Sequence, residues 1–428
     1  MRLTPYWSDT AAPFRGAEAG PVEGTADVVV VGGGFTGLSA ALALGRAGAS
    51  VVVVEKGRVG GEASGRNGGH VNNGLALDFR GAAARLGLAK ARDLYHAFDA
   101  GVDLVERIAR EEQIACDFRR CGKIKLASKP AHYDKMAATY AVMVRDVDPD
   151  LTLVPPEHVR DEVGSDLYHG GLVFGKSAQM HMGKFAAGLA DAARRRGAKI
   201  YEEAPVTALA READGQAFPH VVTTARGTVR ARQVLLATGT SVEGPFGYLR
   251  RRVIPVGSFI IATAPLAKAV LDDVMPTRRN ATTSLNVGHY FRISPDDRLI
   301  FGGRARFALP DPRSDAKSGV ILERGMREAF PQLAGTRVDY CWGGVVDMTA
   351  DRMPRAGERD GVHYAMGYSG HGVQMSVLMG AAMAEVMGGR PLANPWRDMA
   401  WPAIPGHFGS PWFMPIVGAW YRLKDRIA

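Results

Sequence analysis

Residues 27–55 read DVVVVGGGFTGLSAALALGRAGASVVVVE, and this stretch decides the fold. The β-branched run 28–31 predicts a buried parallel strand that ends on a glycine pattern, G-x-G-x-x-G. Apolar residues then recur at helical spacing, Gly48 ends the helix, and 50–54 predicts a second parallel strand. This order of strand, glycine turn, helix and strand predicts a unit that binds the ADP half of a dinucleotide.

Each position in the stretch suits that ligand. Gly32 permits the tight turn, Gly34 lets the backbone approach the pyrophosphate, and Gly37 lets the helix lie close to the strand. The helix N-terminus offers N–H groups and a partial positive charge to the phosphates. Glu55 follows the glycines by about 20 residues, where a carboxylate accepts ribose hydroxyls and disfavours a 2′-phosphate. NAD and FAD share this half-site, so the stretch alone leaves both open.

Composition is that of an ordinary globular protein, and 428 residues, 46% of them hydrophobic and 23% charged, are enough for two domains with a substantial core. No apolar run reaches the roughly 18 residues of a membrane-spanning helix. The N-terminus has no apolar signal segment, and we expect a cytoplasmic protein. The three cysteines, Cys116, Cys121 and Cys341, suit a reducing compartment and form no metal pattern.

The net charge of +9 raises the question of a nucleic-acid partner. Its basic residues are scattered, and the densest clusters, 194–196 and 250–252, lie far apart without interleaved aromatic residues. We therefore expect a solvated basic surface and no nucleic-acid partner.

Later segments predict a second sheet. A strand over 233–237 runs into Ala237-Thr238-Gly239, whose small residues suit close passage beside a dinucleotide. Segments 253–262, 288–294 and 298–304 alternate like antiparallel strands and would form a floor for substrate.

Helical spacing predicts further helices over 85–110, 132–145 and 184–196. A hairpin is expected at 220–224 and 228–231.

Residues 364–373, YAMGYSGHGV, repeat the order of apolar strand, glycine turn and helix start. One ADP moiety needs only one such helix N-terminus. A second one favours a larger cofactor, with the positive helix end near the flavin N1 and C2 carbonyl, where negative charge collects on reduction.

On these residues the chain resembles the D-amino-acid oxidase superfamily of FAD-dependent oxidoreductases, and most of all its γ-glutamylputrescine oxidase branch. The resemblance covers nearly the whole chain, and its most specific segments are ASGRNGG at 63–69 and GYSGHG at 367–372. The remaining matching segments are 6–7, 27–55, 237–239, 342–354 and 420–426.

The resemblance implies an α/β fold, α+β overall, with a glutathione-reductase-like FAD-binding Rossmann domain and an antiparallel-sheet substrate domain. The expected FAD-binding domain is discontinuous and consists of 20–80, 150–245 and 335–390. The expected substrate domain consists of 81–149 and 246–334, and 391–428 is a C-terminal tail.

FAD is implied in an extended conformation along the glycine turns and the ASGRNGG segment. The expected FAD-binding residues are Gly32, Gly34, Phe35, Thr36, Gly37, Glu55, Lys56, Ala63, Ser64, Arg66, Asn67, Gly68, Gly69, His70, Val206, Ala237, Thr238, Gly239, Gly344, Gly370, His371, Gly372 and Val373.

The implied substrate is a small amine: a γ-glutamylated amine, a polyamine or a secondary amine. It would pass a hydride from its α-carbon to flavin N5, and the imine would hydrolyse to an aldehyde, with O2 accepting the electrons to give H2O2. An alkylamine with a pKa near 10 must first lose a proton. His371 is the first candidate acceptor, with His70 and Tyr290 behind it.

Two departures from the family pattern matter. Relatives that act on α-amino acids bind the carboxylate with an arginine, and the corresponding segment 342–346 has none, which favours an amine. His70 stands where the branch commonly has glutamine. We expect noncovalent FAD, with His70 and Cys341 as the alternative attachment points.

Two other functions stay open. An FAD-dependent D-amino-acid or 2-hydroxy-acid dehydrogenase with a non-oxygen acceptor would need an arginine clamp, for which Arg292 and Arg304 are candidates. A flavin-bound scaffold or tRNA-acting flavoprotein would suit the basic charge, although no RNA-binding appendage is evident. Fold alone does not decide the substrate, and the oligomeric state is left open.

Overall fold

The computed structural model describes residues 1–212, 215–240, 244–304 and 306–427, which form two large sheets, a small sheet and the helices around them. The strands are β1 Thr25–Val31, β2 Val51–Val54, β3 His70–Val71, β4 Arg119–Arg120, β5 Lys123–Leu126, β6 Thr152–Val154, β7 Gly171–Phe174, β8 Ala178–Gln179, β9 Lys199–Tyr201, β10 Val206–Arg211, β11 His220–Thr224, β12 Gly227–Leu236, β13 Ile254–Thr263, β14 Asn280–Thr283, β15 His289–Ile293, β16 Leu299–Gly303, β17 Val338–Met348, β18 Arg355–Arg359 and β19 Val362–Met366. The helices are α1 Tyr6–Asp9, α2 Phe35–Arg46, α3 Ala63–Arg66, α4 Phe79–Leu86, α5 Leu88–Glu111, α6 Pro130–Asp146, α7 Met182–Arg195, α8 Gly247–Arg250, α9 Lys268–Val274, α10 Pro312–Ala329, α11 Gly372–Met387 and α12 Met414–Ile427.

The first large sheet contains the predicted dinucleotide unit. Strand β1 pairs in parallel with β2 and β12, and β9 and β19 extend the parallel set. The valines of β1 and β2 are buried, as expected of a sheet with helices on its faces. The predicted strand–helix–strand unit is therefore confirmed, with α2 starting at Phe35 and Gly48 just after its end.

The hairpin prediction needs one correction in this sheet. Residues 228–231 and the predicted strand 233–237 form one strand, β12. Its first half pairs with β11 and its second half pairs with β1, so hydrogen bonding continues through the expected break.

The second large sheet has the order β17-β13-β16-β15-β14-β5-β7-β6. Every neighbouring pair is antiparallel except β14 and β5. The predicted strands near 253–262, 288–294 and 298–304 are present as β13, β15 and β16. The expected antiparallel sheet therefore exists, with one parallel pair inside it.

Three strands differ from the predicted domain boundaries. The expected FAD-binding segments contain β6, β7 and β17, but all three strands hydrogen-bond into the second sheet. The long strand β17 pairs with β13 along almost its full length, which ties it to that sheet. We keep the two-domain division as a proposal with these three strands reassigned.

The helix predicted over 85–110 is two helices, α4 and α5, separated at Gly87. Gly87 has a φ of +83°, a left-handed conformation that ends a helix. The predicted core positions Leu94, Phe98 and Val102 lie on α5 and are buried, whereas Leu86 on α4 is only partly buried.

Helices α2 and α11 pack closely, which brings their N-termini together. A Cβ at Gly380 would overlap the Thr36 carbonyl, and Ser39 Oγ donates to Val377 O at 2.7 Å. Near the helix starts, Thr36 Oγ1 lies 2.7 Å from Tyr368 Oη. Both predicted cofactor turns therefore meet at one place.

Candidate active site

A cavity of about 1230 Å³ is lined by residues of both large sheets. It includes the turns after β1, β2 and β12 and, from the second sheet, Lys123 and Tyr290. Pockets for small ligands usually measure about 300–1,000 Å³. This cavity is therefore large enough for a dinucleotide together with a substrate.

The turn after β1 has the geometry of a phosphate-binding turn. Gly32 has a φ of +115°, and Gly34 is the N-cap of α2. A Cβ at Gly34 would lie 2.9 Å from Ser64 Oγ, and one at Gly33 would lie 2.9 Å from the Glu55 side chain. The turn therefore has no room for a side chain at Gly33 or Gly34, and it leads into the N-terminus of α2, the kind of site that binds a pyrophosphate.

Glu55 is held in place by the neighbouring backbone. Its Oε2 accepts from Gly33 N at 2.7 Å, and its Oε1 accepts from Gly57 N at 2.9 Å. Burial raises the pKa of this carboxyl, although both backbone donors oppose that shift. Each oxygen retains acceptor capacity towards the cavity, which fits the predicted contact with ribose hydroxyls.

Two buried polar atoms of the lining have no hydrogen-bond partner: Thr238 Oγ1 and His371 Nδ1. Buried polar atoms in native proteins usually have a hydrogen-bond partner, and a ligand site is one reason for an atom without such a partner. Together with the glycine turns and Glu55, these atoms fit an extended dinucleotide cofactor.

The segment 63–70 is fixed to its surroundings through main-chain carbonyls. Trp7 Nε1 donates to Asn67 O at 2.6 Å, and Trp342 Nε1 donates to Arg66 O at 3.0 Å. The Arg66 side chain in turn donates from Nε to Gly343 O at 2.6 Å. These hydrogen bonds hold the segment along the cavity by connecting it to Trp7 in α1 and to strand β17.

Arg292, one of the two candidate clamp residues, does not line the cavity. Its guanidinium is buried, donates to Gly68 O and Met180 O at 3.0 Å each, and lies 5.1 Å from the Trp7 ring centroid. Burial lowers its pKa to about 10. Its observed role is to hold the segment that contains Gly68.

Replacing Arg292 with methionine should lower the free energy of unfolding by about 3 kcal/mol, because two buried carbonyls lose their donors. Urea denaturation followed by circular dichroism measures the change. The exposed Arg313→Met is the control, and equal stability of the two variants would contradict this role.

The second glycine turn surrounds a buried carboxylate. Asp347 Oδ2 accepts from Gly367 N at 2.6 Å, and Ser369 N donates to the Asp347 carbonyl at 3.0 Å. Burial raises the pKa of Asp347 to about 6. Asp347 lines the cavity, and sequence reasoning missed it because a single acid near the end of a strand carries no local signal.

The three predicted proton acceptors all line the cavity, but none is a good base. Burial lowers the pKa of His70 and of His371 to about 3, and nearby cationic side chains add to the shift. Burial raises the pKa of Tyr290 to about 12, and its Oη lies 3.0 Å from Ser258 Oγ. At neutral pH both imidazoles are uncharged and the phenol is protonated.

Lys123 is a cavity residue that the sequence did not single out. It is fully buried, its Nζ donates to Asn73 O, and Nζ lies 4.3 Å from the Phe174 ring centroid. Burial lowers the pKa of Lys123 to about 7, with a further contribution from Lys125. A pKa near the working pH is what a general base needs.

Two arginines line the cavity although neither belongs to segment 342–346, which corresponds to the carboxylate-binding segment of relatives that act on α-amino acids. Arg304 follows β16 and donates from Nη1 to Asn286 O at 3.1 Å, and Arg352 lies in the turn after β17 with Nη2 3.5 Å from Tyr421 Oη. Burial lowers the pKa of Arg304, and the charge of Arg352 lowers it further. The cavity lining therefore contains two positive charges that repel each other, and a bound carboxylate would reduce this repulsion.

The predicted FAD-binding residues line this cavity with two exceptions, Gly37 and Gly69. A Cβ at Gly37 would overlap the Gly32 carbonyl, which agrees with its expected packing role. Gly69 has a φ of +80° and lies against Arg292.

Of the two expected attachment points, His70 lines the cavity and Cys341 does not. Cys341 Sγ donates to Asp315 O at 3.2 Å, and burial raises its pKa to about 12. In the part of the chain that the structure describes, no group of three or more His, Cys, Asp or Glu side chains could hold a metal ion. Within the same residues, no helix combines the length and the hydropathy of a membrane span.

Comparisons with known proteins show the family of this chain. The FAD dependent oxidoreductase (DAO) family matches residues 27–386. The chain is 34% identical to gamma-glutamylputrescine oxidoreductase of Escherichia coli strain K12, over 94% of this chain and 93% of that protein. It is 26% identical to glycine oxidase of Geobacillus kaustophilus, over 84% of this chain and 92% of that protein.

Solved structures share the fold. The crystal structure of the Geobacillus kaustophilus glycine oxidase has a TM-score of 0.68 at 20% identity and covers 90% of this chain and 99% of its own. The L-amino acid deaminase of Proteus myxofaciens has a TM-score of 0.72 at 18% identity and covers 90% and 95%. The predicted fold and family are thereby confirmed, and the chain belongs to the DAO family of FAD-dependent oxidoreductases.

Proposed function

We propose that this enzyme oxidises a C–N bond of an amine that carries a carboxylate away from the reacting carbon, a γ-glutamylated amine. The observation that carries the proposal is the pair Arg304 and Arg352 in the same cavity as the dinucleotide turns. The 34% identity to a gamma-glutamylputrescine oxidoreductase supports the same substrate class.

FAD would be bound noncovalently. Glu55 would accept the ribose hydroxyls, the N–H groups at Gly34 and Thr36 would bind the pyrophosphate, and Gly372 at the start of α11 would lie beside the flavin. Bound FAD supplies the acceptor for the two electrons that leave the substrate.

The arginine pair supports a carboxylate in the substrate. The two partly buried guanidinium groups repel each other, and an anion between them would offset that repulsion through charge-assisted hydrogen bonds. A simple polyamine is cationic at both ends and would add to the positive charge. The carboxylate of a γ-glutamyl group removes this conflict and leaves the distal amine free to react.

Lys123 would take the proton from the substrate ammonium. Its neutral form is populated near pH 7, whereas His70 and His371 are too weakly basic to accept this proton. The neutral amine then loses a hydride from its α-carbon, and a C=N bond forms as the C–H bond breaks. Water adds to the imine to release an aldehyde and ammonia, and O2 takes up two electrons and two protons to give H2O2.

A substrate panel tests the proposal. The purified yellow protein is mixed without oxygen with γ-glutamylputrescine, putrescine, D-amino acids and 2-hydroxy acids, and loss of flavin absorbance is followed. We expect the fastest bleaching with γ-glutamylputrescine and H2O2 formation once oxygen is admitted. Bleaching by hydroxy acids alone would exclude amine oxidation, and equal rates with putrescine would exclude the carboxylate requirement.

The second candidate is a D-amino-acid or 2-hydroxy-acid dehydrogenase with a non-oxygen acceptor. Arg304 favours it as well, because this residue is one of the two arginines that such a clamp would use. Fast bleaching by D-amino acids, followed by slow reoxidation in air, would support it over the proposed oxidase.

Replacing Arg304 with leucine should raise KM for γ-glutamylputrescine by about 10- to 100-fold. This factor corresponds to the free energy that one charge-assisted hydrogen bond contributes to binding. Oxidation of putrescine should change little. Steady-state oxygen uptake measures both, and the exposed Arg324→Leu, outside the cavity, is the control. An unchanged KM ratio between the two substrates would contradict carboxylate binding at Arg304.

A further inference from the structure

The C-terminal helix α12 exposes a continuous apolar face. The residues of this outer face are Ile416, Trp420, Leu423 and Ile427, which are 66%, 61%, 48% and 77% exposed, and Trp412, which is 67% exposed, lies in the turn before the helix. The four helical residues are spaced by four, three and four positions, which puts them on one side of α12. Large apolar side chains that recur on one exposed face mark an interaction surface.

The opposite side attaches the helix to the protein. Asp425 accepts from Asn286 N at 2.9 Å and from Val287 N at 2.8 Å. Gly418 is buried against the Phe307 ring, where a Cβ would overlap it. The helix is therefore held by its inner face, and the exposure of its outer face is a consequence of how it docks.

Basic side chains accompany the apolar face. Lys424 and Arg426 are exposed on the two sides of this face, whereas Arg422 lies over the Phe307 ring and Asp425, the single acid in the sequence of α12, faces inward. A helix that combines Trp, Ile and Leu on one side with Lys and Arg beside them is typical of helices that lie in the plane of a membrane interface. We propose that the outer face of α12 docks on the surface of an anionic phospholipid membrane.

Charge favours a membrane over a second copy of the chain. A twofold contact through this face would place Lys424 and Arg426 of one copy near those of the other. The whole chain already carries a net charge of +9, which adds to that repulsion. An anionic lipid surface complements the same residues, and each basic residue near such a surface contributes about a fivefold preference.

Docking would bring the cavity to the membrane surface. Lys424 and Asp425 both line the cavity, so α12 is a part of the cavity wall as well as the docking element. A helix with its side chains is about 10–12 Å across. The lipid headgroups would then lie within about one helix diameter of the cavity lining.

The test uses the full-length FAD-loaded protein and cosedimentation with vesicles. Vesicles of phosphatidylglycerol and phosphatidylcholine in equal parts should bind the protein at low salt, and binding should weaken in high salt. The double variant Ile416→Ser/Trp420→Ser should bind at least about tenfold less. The variant Lys424→Gln/Arg426→Gln should bind the vesicles about fivefold less for each charge removed.

The matched control is Val320→Ser/Leu392→Ser, which removes two other exposed apolar side chains away from α12. It should bind like the unchanged protein. Thermal melting and flavin absorbance verify that each variant folds. For a variant that fails to fold, quenching of tryptophan fluorescence by brominated lipid in the unchanged protein gives an independent measurement.

Absence of binding to anionic vesicles, or of quenching by brominated lipid, would overturn the proposal. Equal binding by the outer-face variant and the control would overturn it as well. A self-associating protein that the Trp420→Ser change makes monomeric, without any vesicle binding, would assign the outer face to a second copy instead.

Discussion

Replacing Gly34 with alanine is expected to weaken FAD binding by about 100-fold, because the added methyl group lies where the backbone must meet the pyrophosphate. The Cβ would lie 2.9 Å from Ser64 Oγ, and Ser64 Oγ accepts the hydrogen bond of Phe35 N at 3.0 Å. The methyl group therefore disturbs both the helix start and the segment that faces it. Titration of the flavin-free protein with FAD, followed by flavin fluorescence, measures the affinity.

The matched control is Gly81→Ala. A Cβ at Gly81 meets no atom within 4 Å, and the residue lies in helix α4, where alanine is favourable. Its FAD affinity should equal that of the unchanged protein, and its stability should be equal or slightly higher. Equal FAD affinity of the Gly34 and Gly81 variants would show that the glycine turn does not approach the cofactor.

The nucleotide half of the site could be predicted because its signals are local. The strand before Gly32 is β-branched, the glycines are spaced for one turn, and Glu55 ends the next strand. Each of these structural features depends on residues that are close together in the sequence, so each produces a recognisable sequence pattern. The start of α11 after His371 could be predicted for the same reason.

The substrate half could not be predicted to the same depth, because its residues meet only through tertiary packing. Lys123 lies on a short strand whose burial depends on its pairing with β7 and β14. Arg304 and Arg352 come from turns that follow different strands, so no sequence window contains both. Segment 342–346 contains no arginine, and of the two arginines that line the cavity from elsewhere the sequence analysis named Arg304 but not Arg352.

Strand partners posed the same difficulty. The assignment of β17 to the second sheet depends on its pairing with β13, a contact between distant parts of the chain. Hydrophobic patterning predicts that a strand exists but does not select the sheet that it joins. The helix break at Gly87 could in principle have been predicted, since a glycine inside a helical pattern marks a potential helix end.

Replacing Lys123 with methionine should lower kcat/KM for the amine substrate by about 10²- to 10⁴-fold at pH 7, the usual contribution of a general base. The reason is that the substrate ammonium would lose its proton acceptor. The pKa of Lys123 is about 7, so its neutral form increases as pH rises through this value. In the unchanged enzyme kcat/KM should therefore rise through about pH 7, whereas in the variant it should rise only with the neutral fraction of the substrate, up to the substrate pKa near 10.

A loss of structure would also lower activity, so the pH profile decides between the two explanations. A structural defect lowers kcat/KM by the same factor at every pH, whereas a missing base matters less as the substrate approaches its own pKa near 10 and becomes neutral in solution. The loss of kcat/KM in Lys123→Met should therefore become steadily smaller between pH 7 and that pKa.

Lys123→Arg keeps the positive charge but remains protonated throughout this range, and it should be as inactive as the methionine variant. Lys135→Met, which removes an exposed lysine of the same cavity, should keep the profile of the unchanged enzyme. A constant deficit for Lys123→Met at all pH values would assign Lys123 to packing against Phe174 and Asn73 and leave the proton acceptor to another group.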